Sequence, residues 1–322
     1  MDARTVAAGM VAGAVKAAAP DARNTKASRC QEPEPLPAST TDSGPGVALA
    51  PVSVVVPCFR CVETIAEAVA SVAAQTLRPA EVLLVDDCSG DGTLECLHEV
   101  ARSYPQGWVK VFAMPRNGGP SGARNRGWEH AAHTYVAFLD ADDTWHPRKI
   151  ELQMQVLRAE PELALLAHQM NVQPRSAPPP AQRQPFRVKA LSGRFLGMRT
   201  SIPTASVVLR RDLPFRFDEH RMRAEDFMLW AQILLSGYRC ATINQILASW
   251  HKPAFGAGGL SGDMTAMYRA AYDVRRSLHA QGLLSRPHMY LADAISMLRQ
   301  ARRRVIASVR RHASDSRTYR VG

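Results

Sequence analysis

The chain has 322 residues, of which 46% are hydrophobic, and a formal net charge of +11 at pH 7. This hydrophobic content supports a large buried core and excludes a fully disordered protein. No apolar run approaches the roughly 20 residues of a membrane-spanning helix. Six cysteines are too sparse, in a chain of this length, for a secreted disulfide scaffold. The sequence therefore predicts a cytoplasmic protein.

The two ends of the chain differ from the rest. Residues 1–48 are rich in Ala, Ser, Thr, Pro and Gly without periodicity and predict a disordered leader. From Arg299 to the C terminus there are eight Arg and one Asp, so this tail carries +7. A basic amphipathic helix suits an anionic lipid surface. We expect no nucleic-acid partner and favour peripheral contact with the inner face of the plasma membrane; a solvated helix or an oligomer contact is the alternative.

Between these ends, short apolar runs alternate with segments of helical periodicity. The pattern predicts strands at 52–56, 82–85, 109–112, 135–139 and 205–209, and helices at 63–74, 93–104, 121–132, 147–160, 225–235 and 289–312. Residues 173–185 contain five prolines and predict a loop. Alternating strands and helices predict an α/β fold with a mostly parallel sheet flanked by helices.

Two acidic clusters directly follow predicted strands. Asp86-Asp87 follows the second strand, and Asp140-Ala141-Asp142-Asp143 follows the fourth. The carboxyl ends of parallel strands lie on one edge of the sheet, where open α/β folds bind ligands. A divalent cation would relieve the repulsion among these carboxylates, and Mg²⁺ or Mn²⁺ is commonly held by carboxylates together with substrate phosphates. The spacing therefore suggests a metal–diphosphate site.

Other interpretations of these residues remain open from spacing alone. Acidic residues after strands also cap helices and form turns, which fits Asp91 and Asp143. A receiver-type signalling domain also gathers aspartates at strand ends. Cys58-Phe59-Arg60-Cys61 lies between a strand and a helix, the setting of a dithiol redox motif.

Five motifs in order resemble the family 2 glycosyltransferases, which are inverting enzymes with the GT-A fold. The matching segments lie within about residues 52–251 and are Val52 to Pro57, Gln75-Thr76 with Glu81 and Val85 to Thr93, Asn117-Gly118-Gly119 with Ala123 to Gly127, Phe138 to Asp143, and Glu225-Asp226 with Trp230. The resemblance implies a Rossmann-like GT-A domain over 49–255, with a nucleotide-binding half at 49–145 and an acceptor half at 146–255. A helical, basic extension would follow at 256–322.

The resemblance also implies residue roles. Donor-binding residues would be Pro57, Phe59, Arg60, Glu63, Asp86, Asp87, Arg124, Asp140 and Ala141. Arg124 would support the donor's diphosphate or the pocket wall. Asp142 would ligate Mn²⁺ or Mg²⁺, and His251 falls where some members place a further metal or phosphate ligand. Asp226 would be the general base, with Glu225 beside it.

The expected reaction is the transfer of one sugar from a nucleotide sugar to a saccharide or glycolipid acceptor. The resemblance implies a UDP-sugar donor, because UDP donors are the commonest in the family. The Gln-x-x-Arg-Trp pattern of processive polysaccharide synthases does not occur, which favours a single transfer. Two positions depart from the family pattern, Arg60 where Asn is usual and Cys88 where Gly is usual, and Cys58 also occupies a position that is more often Ser or Ala. A nucleotide-sugar-binding protein without catalysis is the main alternative function.

Overall fold

The computed structural model describes residues 49–192, 202–251, 264–300 and 302. The strands are β1 (Ala50–Cys58), β2 (Pro79–Asp86), β3 (Val109–Ala113), β4 (Tyr135–Phe138), β5 (Thr144–Trp145), β6 (Leu163–Val172), β7 (Val188–Ala190), β8 (Val208–Arg210) and β9 (Arg239–Trp250). The helices are α1 (Ile65–Ala73), α2 (Thr93–Arg102), α3 (Gly119–His130), α4 (Lys149–Ala159), α5 (Glu225–Leu235), α6 (Met264–Ala280) and α7 (286–300). A 3₁₀ turn covers Thr204–Ser206.

These strands form one sheet in the order β3-β2-β1-β4-β8-β6-β9-β5, with β7 paired to β9. The first four strands are mutually parallel, and β8 joins β4 in the antiparallel direction. The other half mixes directions, because β6 is parallel to β9 but antiparallel to β8. The sheet thus has a parallel half that carries the first two acidic clusters and a mixed half that follows it.

Helices cover both faces of the sheet, as alternation along β1 requires. Val54 and Val56 pack into a core with α1, α2 and α4, whereas Val55 packs into a second core with α3, α5 and α6. Helix α3 lies very close to β1, since a Cβ added at Gly127 would stand 2.3 Å from Val55 Cγ1. Glycine at that position is what allows the close approach.

The elements after α5 pack onto the mixed half. Ala271, Val274 and Leu278 of α6 are buried in the same core as Phe227 and Trp230 of α5. Met289 and Ala292 of α7 are buried as well, and Asp293 of α7 pairs with the buried Arg275 of α6. No helix in the described ranges is long and apolar enough to cross a membrane.

Most predicted elements are confirmed, with ends that differ by a few residues. The predicted strand at 205–209 was only partly right, because its first residues form the 3₁₀ turn and the strand begins at Val208. Pro147 does not occupy the first position of α4, which begins at Lys149. The predicted leader and the C-terminal part of the predicted helix at 289–312 lie outside the described residues, apart from Arg302.

The prediction missed two long strands, β6 and β9. Strand β9 carries a readable signal, since Ile243, Gln245 and Leu247 are buried in alternation with half-buried neighbours. Strand β6 begins as a continuous apolar run, Leu163 to Ala167, that periodicity alone does not separate from a helix.

Candidate active site

The two acidic clusters meet at one edge of the sheet. Strand β1 lies between β2 and β4 and is parallel to both, with Val55 opposite Leu83 on one side and Phe138 on the other. Asp86 is the last residue of β2, and Asp140 follows β4 by one residue. The carboxyl ends of these strands therefore place Asp86, Asp87 and Asp140 on the same edge, as the sequence predicted.

The donor-side acidic pair, Asp86 and Asp87, is buried and held by the chain itself. Ser89 Oγ donates to Asp86 Oδ1 at 2.5 Å, and the backbone N–H of Gly118 donates to Asp87 Oδ1 at 2.7 Å. Burial raises the pKa of Asp87, while the N–H groups of Gly118 and Gly119 act in the opposite direction. These hydrogen bonds hold both carboxylates in place, and the one from Gly118 connects the end of β2 with the start of α3.

The turn after β1 is hydrogen-bonded to the segment that follows Asp86 and Asp87. Arg60 in this turn and Cys88 in the turn after β2 both have positive φ, 50° and 57°. Residues other than Gly, Asn and Asp adopt this region at a cost. The backbone N–H of Arg60 donates to Ser89 Oγ at 3.1 Å, which links this turn to Asp86. The two departures from the family pattern thus fall where Asn and Gly are the easier residues.

The other predicted donor residues surround this turn. Pro57 is half-buried within β1, while Phe59 is exposed with the Arg60 guanidinium 5.1 Å from its ring centroid. Glu63 is exposed just before α1, and Ala141 is buried in the tight turn after β4. Among the described residues, no hydrogen bond or ion pair joins Glu63 to the other members of this set.

The segment after β4 folds as a tight turn, in which the N–H of Asp143 donates to Asp140 O at 3.0 Å. Asp142 stands at this turn half-buried, and its backbone carbonyl accepts from Arg175 Nη2 at 3.0 Å. Arg175 belongs to the predicted proline-rich loop and also pairs with Glu67. The loop therefore lies against the segment that carries Asp142, a contact that the sequence did not reveal.

His251 lies close to the same segment. Its Nδ1 lies 3.1 Å from the backbone carbonyl oxygen of Gln173, and its Nε2 lies 2.8 Å from Thr144 Oγ1. Because a carbonyl only accepts, Nδ1 carries the proton, and the Nε2 lone pair of the neutral ring accepts from the Thr144 hydroxyl, which would have to turn away before Nε2 could ligate a cation. That is the tautomer of a metal-ligating histidine whose other nitrogen donates to a backbone carbonyl.

The donor set suits a cation that shares its coordination with substrate phosphates. Asp142 offers a carboxylate, and His251 offers an imidazole that is protonated at Nδ1. Thr144, two residues after Asp142, is hydrogen-bonded to His251 Nε2, so the two residues lie close together. In the described part of the chain no group of three or more His, Cys, Asp or Glu residues is arranged to hold a metal. Mg²⁺ and Mn²⁺ sites built from one or two protein ligands plus phosphate oxygens need no such group.

The acceptor-side acidic pair, Glu225 and Asp226, opens α5. Ala224 precedes it with φ of 56°, and both acids lie in the first turn of the helix. The buried guanidinium of Arg124 spans the site: Nη2 donates to Asp140 Oδ1 at 2.8 Å, and Nη1 donates to Glu225 Oε1 at 3.2 Å. Arg124 thus connects the end of β4 with the start of α5, and its two terminal nitrogens are committed to carboxylates.

Burial and the neighbouring charges together set the pKa of Asp226. Burial of the carboxyl group and the adjacent Glu225 charge raise the pKa of Asp226 to about 7, although the Phe227 N–H and Arg124 act in the opposite direction. Burial disfavours the Arg124 charge, but Asp140, Glu225 and Asp226 outweigh it and raise the pKa of Arg124. Asp226 therefore exchanges a proton near neutral pH beside a permanent cation.

A side chain that the sequence analysis passed over ties the loop before α5 to the donor half. Asn125 Nδ2 donates to Phe217 O at 2.9 Å and to Glu219 Oε1 at 2.8 Å, and Asn125 Oδ1 accepts from the Phe217 N–H. Asn125 follows Arg124 on α3, so one helix holds both halves of the site. Its place in the matched Ala-Arg-Asn segment was the signal that could have found it.

The comparison with known families decides the classification. The sequence pattern described as Glycosyl transferase family 2 matches residues 53–217, just over half of the chain. The chain belongs to glycosyl transferase family 2. It is a glycosyltransferase, as the motifs led us to expect, and the matched region carries the donor-side acids, Arg124 and the Asp140–Asp143 turn.

Relatives with descriptive names agree with this assignment. The chain is 30% identical over 211 residues to the amylovoran biosynthesis glycosyltransferase AmsB of Erwinia amylovora, covering 62% of this chain and 69% of AmsB. It is 33% identical over 106 residues to WfgD of Escherichia coli, a UDP-Glc:α-D-GlcNAc-diphosphoundecaprenol β-1,3-glucosyltransferase, covering 33% of this chain and 40% of WfgD.

Solved structures show that the fold is GT-A. The Staphylococcus aureus TarS 1–349 complex with UDP-GlcNAc has a TM-score of 0.60 at 22% identity and covers 76% of this chain and 71% of that one. The mannosyltransferase PcManGT of Pyrobaculum calidifontis, in complex with GDP-Man and Mn²⁺, has a TM-score of 0.55 at 18% identity and covers 85% and 84%. The predicted α/β fold class is confirmed.

Proposed function

We propose that this glycosyltransferase moves one sugar, with inversion, from a UDP-sugar to a saccharide or glycolipid acceptor in cell-envelope polysaccharide synthesis. The observation that carries the proposal is the bridge through Arg124, which connects Asp140 on the donor side with the acid pair at the start of α5. The names of AmsB and WfgD support the acceptor class, and the UDP-GlcNAc complex of TarS supports the donor class.

Asp226 is the general base in this proposal. An acceptor hydroxyl is a poor nucleophile until a base takes its proton, and a base works best when its pKa lies near the working pH. The pKa of Asp226, raised to about 7 by burial and by Glu225, fits this requirement. Deprotonated Asp226 accepts the hydroxyl proton, the acceptor oxygen attacks the anomeric carbon from the face opposite the diphosphate, and the configuration inverts.

Arg124 positions this machinery and does not reach the diphosphate. Its Nη1 and Nη2 atoms are held by Glu225 and Asp140, and its charge disfavours protonation of Asp226. Of the two roles that the sequence left open, support of the pocket wall is the one that this geometry favours. Asp86 and Asp87 would hold the nucleoside with Pro57, Phe59 and Arg60, and Glu63 would belong to the outer edge of that pocket.

Asp142, with His251, would hold Mn²⁺ or Mg²⁺. The cation, when bound, acts as a Lewis acid that neutralises charge on the leaving diphosphate. The chain's own contribution is to position the two ligands: the tight turn holds Asp142, and the Gln173 carbonyl orients the His251 ring through Nδ1, while the cation would replace the Thr144 hydroxyl at Nε2. The Mn²⁺ complex of PcManGT supports the choice of a divalent cation.

The domain boundaries and location remain parts of the same proposal. The catalytic domain would cover 49–255, with its donor half ending near 145, and α6 and α7 would belong to the extension that follows. A dithiol redox domain at Cys58 and Cys61 is not favoured, because the matched family pattern includes both residues within a glycosyltransferase domain. We expect a cytoplasmic enzyme that works at the inner face of the plasma membrane.

A thermal-shift panel of nucleotide sugars, with and without Mn²⁺, tests the proposal. A ligand that binds only the folded state raises Tm according to its concentration relative to its Kd. We expect UDP-sugars to raise Tm more in the presence of Mn²⁺ than after chelation, and GDP-sugars to have a smaller effect. If no nucleotide sugar changes Tm under either condition, the proposed donor class is wrong.

A further inference from the structure

Helix α7 has two opposite apolar faces, of which one is covered and one is not. Met289, Ala292 and Ser296 are buried against the core beneath the helix. On the other side, Tyr290, Leu291, Met297 and Leu298 are 64%, 58%, 60% and 71% exposed. A side chain that projects from the buried face of a surface helix is expected to be apolar; a second apolar face on the solvent side is not.

The exposed residues form one continuous face. Positions 290 and 297, and likewise 291 and 298, are seven residues apart and so point in nearly the same direction on an α-helix. Ala294 lies between them and is exposed too. We call Tyr290, Leu291, Ala294, Met297 and Leu298 the α7 face. Contiguous apolar surface of this kind on a soluble domain marks an interaction site.

The charges beside the α7 face indicate its partner. Arg286 and Arg302 are exposed at the two ends of this helix and flank the α7 face, whereas Arg299 lies about 140° around the helix from Ala294. The single acid of residues 286–300, Asp293, is taken up by Arg275 on the buried side. The exposed side of α7 therefore presents apolar and cationic groups without an acid, which is the composition of a helix that lies in the surface of an anionic bilayer.

Other occupants of the α7 face are less well matched. A second copy of the chain would bring the same cationic groups against each other. No segment outside the described ranges has a net excess of acid: 1–48 holds five acids and five bases, 193–201 holds two Arg, 252–263 holds one Lys and one Asp, and 303–322 is rich in Arg. None of them would complement the arginines beside the face, whereas anionic lipid headgroups would.

We propose that the α7 face docks the protein on an anionic lipid bilayer, with the apolar side chains at the acyl boundary and the arginines at the headgroups. Docking through α7 would bring the proposed active site to a lipid surface, although the docking does not itself depend on the proposed function. Arg221, in the loop before the Glu225-Asp226 pair, donates to Ser277 Oγ of α6 at 3.1 Å, and α6 is joined to α7 by the Arg275–Asp293 pair. Docking through α7 would hold the acceptor side near the lipid surface.

Vesicle sedimentation of the full chain tests this proposal. The vesicles are phosphatidylcholine alone, or phosphatidylcholine with about one third phosphatidylglycerol, so neither acceptor nor donor is present. We expect Leu291→Gln/Leu298→Gln to weaken binding to the anionic vesicles by roughly ten-fold or more, because both leucines lose their apolar insertion. We expect Arg286→Gln/Arg302→Gln to weaken it roughly five-fold or more, on the anionic vesicles only.

Matched controls separate this face from general apolarity or charge. Leu49→Gln removes an exposed leucine at the start of the first strand, and Arg102→Gln/Arg158→Gln removes two exposed arginines from the ends of α2 and α4. Both controls should bind vesicles like the unmodified chain, and all variants should keep its circular dichroism and Tm.

The proposal is overturned if the unmodified chain does not sediment with anionic vesicles, or if the α7 variants and the controls bind equally. It is also overturned if sedimentation equilibrium shows a dimer that Leu291→Gln/Leu298→Gln abolishes while vesicle binding stays unchanged, since the face would then serve self-association. Donor-dependent thermal shifts are measured without lipid, so failure of docking and failure of the proposed reaction give different results.

Discussion

The two acidic pairs of the site, Asp86-Asp87 and Glu225-Asp226, are similar in sequence and different in surroundings. In the donor-side pair, Asp86 accepts from Ser89 Oγ of its own turn, and Asp87 accepts from the Gly118 N–H at the start of α3. In the acceptor-side pair, Glu225 pairs with Arg124, while Asp226 receives the N–H of its neighbour Phe227 and faces the Glu225 charge.

The difference teaches which pair suits which task. Carboxylates whose oxygens accept fixed N–H and O–H donors stay in place and present a defined surface, as a binding wall must. A carboxyl group whose pKa is raised to about 7 by burial and by a like charge can take and release a proton near neutral pH, as a general base must. The comparison predicts that donor-side and metal-side changes affect binding, whereas acceptor-side changes affect turnover.

The largest expected effect comes from Asp226→Asn. The amide keeps an oxygen that can accept the Phe227 N–H but cannot take the acceptor proton, so kcat should fall by about 10² to 10⁴-fold. The affinity for the UDP-sugar, measured by calorimetry, should remain within about two-fold, because binding belongs to the other edge of the site.

The control for this change is Asp212→Asn, which alters an exposed carboxylate salt-bridged to Arg210 in the same half. It should leave kcat unchanged. Full activity of Asp226→Asn would exclude Asp226 as the base, and a large loss of donor affinity would remove the proposed separation of the two acidic pairs.

The second effect is expected from Asp142→Asn. An amide is a weaker ligand for a hard cation than a carboxylate, so donor affinity in the presence of Mn²⁺ should fall at least about ten-fold. Affinity after chelation should be unchanged. The measurement is calorimetry of the UDP-sugar with and without Mn²⁺, again beside Asp212→Asn; equal donor affinity of the unmodified enzyme under both conditions would refute the metal assignment.

A third effect appears in the pH profile. The base works deprotonated, so kcat/KM should rise with pH through about 7, the pKa of Asp226. Glu225→Gln removes the like charge that, after burial, raises this pKa, and the acid limb should move to lower pH. An acid limb that does not move in Glu225→Gln would show that another group controls the profile.

A fourth effect concerns stability. Because the folded pKa of Asp226 lies above its ordinary value of 3.8, the unfolded chain loses this proton more readily, and the group destabilises the fold as pH rises from about 4 to about 7. Asp226→Asn should therefore raise stability at pH 8 by on the order of 1 kcal/mol, or roughly 2–4 °C in Tm, given partial solvent screening.

The same variant should gain little near pH 3, where Asp226 is neutral in the folded and largely neutral in the unfolded chain. Differential scanning calorimetry at the two pH values measures the contrast. An equal Tm change at both would mean that the substitution acts through packing and not through charge.

The smallest effect is expected at the two departures from the family pattern. Cys88→Gly and Arg60→Asn each place a residue that tolerates positive φ, and each should stabilise the fold by about 0.5–1 kcal/mol. Arg102→Asn, at the end of helix α2, is the control and should not stabilise. Urea unfolding measures all three; no gain in either test variant would show that the turn holds these conformations without strain.

The donor half could be predicted because its signals are local. Two of its apolar runs, those of β2 and β4, end in acids at the point where the strand ends, so a parallel sheet is enough to bring Asp86, Asp87 and Asp140 to one edge. The acceptor half offered less, because β6 and β9 pair across more than 70 residues and the run that opens β6 has no clear period. The exact start of α5 was predicted, since Glu225 and Asp226 precede a well-defined apolar stripe.

The sequence alone determined the fold class and the family, and it predicted which residues form the site. Only the tertiary structure decided how they act together. Arg124 and Glu225 are 101 residues apart, and their contact exists only because α3 and α5 pack on the same face of the sheet. The proton affinity of Asp226 and the exposure of the α7 face depend likewise on which groups packing brings near and from which it excludes water, and neither quantity is written in any local pattern.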